Sequence, residues 1–330
     1  QPPVLASIIW RIVQMGTEYE KRKAIEVFPK LMAYHRWFSA ARDPKNSGVI
    51  SIIHPWESGR DNCPDWDIGM RNIVVPDNLE SYARRDTSHV DSDQRPTQEQ
   101  YDRFITIVKF GRECRWDNQT IHAEGPFLMA DPGVQFIFLR ASRDLLAMAQ
   151  HLGMDMAVDE IRGWVDRVEA GSDFLWNEEV GGYCARDLRT GQFSDAITNA
   201  STLSFFADVG SPEQRASMAA HCRRILDASS FGMPSWDPDH PAFESQRYWR
   251  GPVWAIMNHM VISGLEDAGL ADLAARVRTD TINLIDERGM AEYFDPRDGD
   301  GLGGIDFSWT AAIYLDLNKT EVAASLAAGG

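Results

Sequence analysis

Three short stretches of the chain concentrate the side chains that could do chemistry. They are "HPWESGRDNCPDWD" at 54–67, "FESQRYWRGPVW" at 243–254 and "MAEYFDPRDGDGLGGIDFSWTAA" at 290–312. The first puts four acids, a glycine and three aromatic or imidazole rings into fourteen positions without an apolar period, so it reads as a solvated loop or the lining of a polar site. Hydrolysis of a glycosidic bond needs two carboxyl groups flanking that bond, one protonated and one ionised, with aromatic faces for the sugar and charged groups for its hydroxyls. The three stretches supply all of these. The carboxyls stand roughly 5–5.5 Å apart when one is a nucleophile, and roughly 6.5–9.5 Å when one activates a water; sequence does not choose between them. The same acids and glycines also build turns and cap helices, and that plainer reading stands beside the catalytic one for each Asp. "DPRDGDG" at 295–301 has a faint likeness to a calcium loop but lacks the distal Glu. His54 and His89 have no second His or Cys at ligand spacing and read as hydrogen-bonded structural residues, so no metal is expected. Without a nucleophile elbow, a phosphate loop or a dinucleotide fingerprint, no cofactor is expected either.

The elements that must position these stretches are helical. Phe138, Ala141, Leu145, Met148 and Leu152 form one apolar stripe; Trp254, Met257, Val261, Leu265 and Ala268 form another, continued by Leu273, Val277 and Leu284. Further helices are expected near 4–15, 18–41, 99–113, 156–170, 197–208, 212–228 and 309–317, with Pro29 bending the second of them. No alternating strand series is present. Helices joined by short turns indicate an all-α fold of helical hairpins in a ring, as one domain over 1–330. About ten helices are legible, two short of the twelve in a closed double ring of six hairpins. Residues 43–97, 229–250 and 289–308 lack periodicity but are rich in Trp, Tyr, Asp and Gly, which favours function over disorder. Each stretch adjoins an apolar helix, so all three would meet at one mouth of the ring.

Composition narrows the partners. A net charge of −16 argues against nucleic acid and against an anionic membrane surface, and an anionic ligand would need a local Arg or Lys. Hydrophobic residues make up 44%, enough for a large core. Four widely spaced cysteines without a CxxC fit reduced thiols in the cytoplasm. No run reaches the length of a membrane helix, and the leading residues do not read as a signal peptide. A homo-oligomer remains compatible with the sequence.

"WESGRDNCPDWD", "YWRGPVWAIMN" and "AEYFDPRDGDGLGGIDFSWTAA", in this order, resemble the signature blocks of glycoside hydrolase family 63, and most closely its bacterial glucosylglycerate and mannosylglycerate hydrolases. "RRDTSHVDSDQRPTQEQYDRF" at 84–104 is similar to the segment those enzymes use near glycerate. The resemblance runs from about residue 50 to 317 and implies an (α/α)6 barrel, hydrolysis with inversion and no metal in the chemistry. It also implies that the chain starts inside the family's pattern, after a leading segment that would complete the ring. By the same resemblance Asp61 falls on the general acid and Glu292 on the general base. Burial and neighbours such as Glu57 are expected to raise the pKa of Asp61. Trp56, Tyr248, Trp249 and Trp254 are expected as aromatic walls, Arg250 and Gly251 as the "WRGP" turn with Arg250 near a catalytic carboxylate, and Trp309 behind Glu292. Glu57 and Arg60 join the substrate-binding set. Arg95 is expected to take a glycerate carboxylate through two parallel hydrogen bonds, helped by Tyr101. Cys63 and Asp65 depart from the pattern and leave the shape of their loop open. The expected substrate is a small glycoside, anionic through glycerate. An α-glucosidase for neutral saccharides and an inactive sugar-binding barrel remain the alternatives.

Overall fold

The computed structural model describes residues 2–88 and 90–319. Its helices are α1 (Leu5–Met15), α2 (Glu18–Arg42), α3 (Asp67–Met70), α4 (Gln98–Glu113), α5 (Asn118–Glu124), α6 (Pro132–His151), α7 (Asp155–Gly171), α8 (Leu203–Phe206), α9 (Pro212–Ala228), α10 (Ala255–Asp267), α11 (Ala271–Arg288) and α12 (Ser308–Leu317). The strands are two residues each: β1 (Ser51–Ile52), β2 (Met129–Ala130), β3 (Trp176–Asn177), β4 (Gly182–Tyr183), β5 (Arg186–Asp187), β6 (Tyr293–Phe294) and β7 (Gly301–Leu302). All pair antiparallel, as a β1-β2-β5 sheet and two hairpins.

The helix starts follow from side-chain chemistry. Thr17 and Glu20 close a capping box on α2, Thr97 and Gln100 one on α4, and Ser211 and Gln214 one on α9, each satisfying amides that a helix start leaves open. Asp131 caps α6 by accepting from Gly133 and Val134 N–H at 3.0 and 3.3 Å, with Pro132 at the first helical position. The long helices pair as expected: α6 lies on α7 and α10 on α11, α1 packs on α6, and α10 on α8 and α12. Phe138, Ala141, Leu145 and Met148 are fully buried on α6, as are Val261 and Leu265 on α10. α2 runs through Pro29, which removes one backbone bond from the helix.

Two expectations about elements need correction. The helix expected over 197–208 is only α8, because Thr198 and Ser201 exchange hydrogen bonds with each other and with the Ala200 and Ser201 amides. Such hydroxyls compete with the helical ladder. Conversely α3 and α5 arise where no stripe was visible, α5 started by Asp117 accepting from Thr120 N–H at 2.8 Å. None of the helices among the described residues is long and apolar enough to cross a membrane. All four cysteines are free. A cavity of about 1000 Å³ is lined from α1, α6, α10 and α12 and by the loops around residues 56–61, 86–96 and 248–249.

Candidate active site

The loop that carries Asp61 is pinned on both sides of it. Arg60 is 2% exposed and reaches Asp65 at 3.0 Å, Asp131 at 2.8 Å and the Cys63 sulfur at 3.1 Å, over the face of Trp66. Burial alone would weaken its charge, but the surrounding Cys63, Asp131 and Asp65 more than offset this and raise its pKa. Asp131 thus caps α6 and anchors the loop at once. On the other side, Asn62 Oδ1 accepts from Trp249 N–H at 3.0 Å and its carbonyl from Arg250 at 3.3 Å. With both neighbours fixed, the Asp61 side chain faces the cavity. Burial pushes its carboxyl up to about 7; Arg95 opposes that shift, while Asp86 and then Glu292 add to it. It forms no ion pair among the described residues.

Arg60 borders the cavity too, but its guanidinium is engaged with Asp65, Asp131 and Cys63, so it anchors the loop from within the cavity wall. Replacing it with Ala would leave the buried carboxyls of Asp65 and Asp131 without their cation. Arg60→Ala is expected to lose about 3–5 kcal/mol of stability, read by urea denaturation; a loss below about 1 kcal/mol would reject the anchoring role. The expectation for Glu57 does need correction. It accepts from Arg42 Nε at 3.0 Å and from Ile53 N–H at 2.9 Å and does not line the cavity, so Asp86 and Glu292 take the place expected for it beside Asp61. His54 is buried and pushed down to about 4 by burial. Its Nε2 donates to the Phe104 carbonyl and its Nδ1 accepts from Trp56 N–H, which is the structural role expected of it. His89 lies outside the described residues.

Glu292 is presented by the β6–β7 hairpin, one residue before β6. It is 8% exposed. Its Oε2 accepts from Arg95 at 2.7 Å and from Gly304 N–H at 3.0 Å, and a second Arg95 contact reaches Oε1 at 3.5 Å. Gly303 has φ +72°, and a Cβ there would lie 2.5 Å from Glu292 Oε2, so only glycine lets the backbone approach this carboxylate. Gln94 ties the hairpin to the Arg95 segment, its Oε1 accepting from Gly303 N–H at 3.0 Å and its carbonyl from the Tyr293 hydroxyl at 3.2 Å. The acids of "DPRDGDG" are turn formers: Asp295 accepts from Arg297 N–H and Asp298 from Asp300 N–H, both at 2.9 Å. No group of three or more His, Cys, Asp or Glu among the described residues could hold a metal ion.

The aromatic residues divide into two sets. Trp56, Tyr101, Tyr248, Trp249 and Trp309 line the cavity with Asp61 and Arg95. Trp254 does not. It is 1% exposed, stacked on Trp249 at 3.8 Å and on Tyr293 at 4.7 Å, and such pairs add about 0.5–1.5 kcal/mol each beyond burial. It backs the wall rather than forming it. Trp309 meets Trp254 edge-on at 6.0 Å. Tyr248 sits at φ 40°, a left-handed conformation costly for a bulky residue, and its carbonyl accepts from Trp254 Nε1. Arg250 pairs with Glu244 at 2.7 Å and with Asp67 at 2.9 Å, not with a catalytic carboxylate. A Cβ at Gly251 would meet the Glu244 carbonyl at 2.5 Å. Both hold the turn, outside the cavity lining.

Residues that sequence reasoning passed over complete the mouth. Arg84 pairs with Asp86 at 2.6 Å, donates to the Pro96 carbonyl at 2.8 Å and lies over the Tyr101 ring. Asp86 thereby enters the cavity wall. Farther in, Trp10, Arg11 and His259 line the cavity, with Arg11 and His259 both on Asp316 at 2.8 Å. The resemblance of the 84–104 segment pointed to the stretch that holds the first group, though to neither Arg84 nor Asp86 by itself. Nothing in the helical stripes marked the second.

Comparison with known proteins identifies the family of the chain. The pattern of the mannosylglycerate hydrolase MGH1-like glycoside hydrolase domain matches residues 1–310. Mannosylglycerate hydrolase MGH1 of Selaginella moellendorffii is 42% identical over 317 residues, covering 96% of this chain and 65% of its own length. The chain thus spans about two thirds of that relative. A mannosylglycerate hydrolase of Thermus thermophilus is 42% identical over 319 residues, 96% of this chain and 76% of that protein. The crystal structure of the family 63 mannosylglycerate hydrolase from another strain of Thermus thermophilus, in complex with Tris and D-glycerate, superposes with a TM-score of 0.92 at 40% identity, covering 96% of this chain and 76% of that one. With its helical barrel, the chain belongs to the mannosylglycerate hydrolase-like glycoside hydrolases of family 63.

Proposed function

We propose that the protein hydrolyses an α-linked glycosylglycerate, mannosylglycerate before glucosylglycerate, with inversion at the anomeric carbon. The observation that carries this reading is the contrast between two carboxyls. Asp61 faces the cavity with its pKa pushed up to about 7 by burial, and Glu292 accepts from Arg95 and a backbone N–H. One is suited to give a proton and the other to receive one. In this mechanism Asp61 protonates the glycosidic oxygen as the bond to the sugar breaks. Glu292 takes a proton from a water that bonds to the anomeric carbon on the opposite face. Trp56, Tyr248, Trp249 and Trp309 offer ring faces for the hexose, while Arg95 and Tyr101 provide the donors for glycerate. The relatives named above support mannose as the sugar, and the D-glycerate bound by the Thermus enzyme supports the acid. The cavity is wide enough for a larger saccharide, and Arg95 is engaged with Glu292; both points favour the second reading, an α-glucosidase acting on neutral substrates.

A proton NMR time course with mannosylglycerate, glucosylglycerate and a neutral α-glucoside separates these. The expected first product is β-mannose, appearing with glycerate before mutarotation. Initial α-sugar would reject inversion, and turnover of the neutral glucoside alone would reject glycerate as the recognised group.

A further inference from the structure

Arg95 ties the candidate base to the cavity wall. The arginine is part of the cavity lining and Glu292 is not. Their pairing is lopsided: one contact at 2.7 Å, a second at 3.5 Å, and the buried Arg95 Nε without a hydrogen-bond partner among the described residues. The other contacts of the guanidinium are ring faces, Tyr248 at 4.5 Å and Tyr293 at 5.7 Å. Such faces hold a cation near them without dictating which acceptor it addresses. Glu292 Oε2 already accepts from both Arg95 and Gly304. A carboxylate so occupied, and screened from the cavity, is poorly placed to take a proton from water.

We propose that Arg95 is a specificity-determining switch, masking Glu292 until the carboxylate of an anionic aglycone draws the guanidinium into the cavity and frees the base. The exchange replaces one carboxylate by another on the same fork, so charge-assisted bonds are conserved, and the substrate supplies the differential interaction that any such shift requires. A neutral aglycone offers no second carboxylate. It would bind and leave the base masked, so discrimination falls on kcat and not only on KM. This rests on the glycosylglycerate reading above and adds to it a reason why recognition of the acid and activation of water are coupled.

The test uses the α-fluoride of whichever hexose the enzyme releases from its glycosylglycerate. In that reaction the C–F bond breaks with fluoride leaving as the anion, water oxygen bonds to the anomeric carbon, and Glu292 takes the proton; the aglycone side stays open for added D-glycerate. Free glycerate is expected to raise kcat for the fluoride at least about tenfold, the size of one charge-assisted hydrogen bond. Arg95→Ala is expected to hydrolyse the fluoride faster than the unassisted native enzyme and to ignore glycerate. Inhibition or indifference of the native enzyme towards glycerate would overturn the proposal. So would an Arg95→Ala protein with native circular dichroism that is slower than the unassisted native enzyme. A fluoride left intact with and without glycerate, while the glycosylglycerate is cleaved, would overturn it too. Failure to cleave any glycosylglycerate would remove the underlying reading as well, so the two failures are told apart.

Discussion

Asp61→Asn is expected to lower turnover of mannosylglycerate by about a hundred- to ten-thousandfold, the usual worth of a positioned general acid, and to spare α-mannosyl fluoride by comparison. The amide keeps the shape of the carboxyl but has no acidic proton to give. The glycerate oxygen leaves poorly as an alkoxide, whereas fluoride departs without protonation. An equal loss on both substrates would place Asp61 outside proton transfer, and a rate within tenfold of the native enzyme on mannosylglycerate would remove it from the mechanism.

The pH dependence follows from the same carboxyl. Because burial pushes Asp61 up to about 7, the working, protonated form is lost as pH rises through that value, and the rate on mannosylglycerate should decline above it. On the fluoride, which needs no proton from Asp61, the native enzyme and the Asn variant should both lack this limb. Stability moves in the same sense. A carboxyl whose folded pKa lies above its unfolded value holds its proton more tightly in the native state, so the stability it contributes is complete at low pH and lost as pH rises through about 7. Asp61→Asn should therefore melt higher than the native protein at pH 8, with the difference shrinking below neutrality. A melting difference independent of pH would deny the elevated pKa.

How much of this was readable in the sequence depends on the kind of signal. Helices with an apolar stripe, such as α6 and α10, were legible because a 3.6-residue period is a local property. The segment around 197–208 was not, because Thr198 and Ser201 bond to nearby amides and shorten a helix that the apolar residues alone would permit. For the site, the acid-aromatic stretches marked which loops matter but not which side chains within them turn inward. Arg60 and Asp61 are neighbours in one motif and both border the cavity, yet the first is engaged with Asp131, 71 residues away, and the second forms no ion pair among the described residues. Trp249 and Trp254 differ as well, one a wall and one its backing. Such distinctions depend on contacts between distant segments, above all Asn62 with Trp249 and Arg95 with Glu292. The helical ring was therefore foreseeable, while the pairing of Arg95 with Glu292 was not.

Glu292→Gln separates base from acid most sharply. Both mannosylglycerate and the fluoride assisted by D-glycerate need a water to lose its proton, so this variant should fall by about a hundred- to ten-thousandfold on both, unlike Asp61→Asn, which spares the fluoride. Azide needs no deprotonation. Added to the variant with α-mannosyl fluoride, it is expected to restore consumption of the fluoride and to yield the β-azide, because attack comes from the face that Glu292 serves. Rescue giving the α-azide would imply a covalent intermediate and retention, and fluoride hydrolysis within tenfold of the glycerate-assisted native rate would exclude Glu292 as the base. The substitution also tests the partner residue. Gln can still accept from Gly304 N–H but no longer neutralises Arg95, leaving a nearly buried guanidinium without its anion. D-glycerate should then find Arg95 uncontested and raise the melting temperature of Glu292→Gln more than that of the native protein, since a ligand stabilises in proportion to the affinity it gains for the folded state. An unchanged glycerate response would mean that Arg95 does not exchange one carboxylate for the other, even where mutation has removed the competitor.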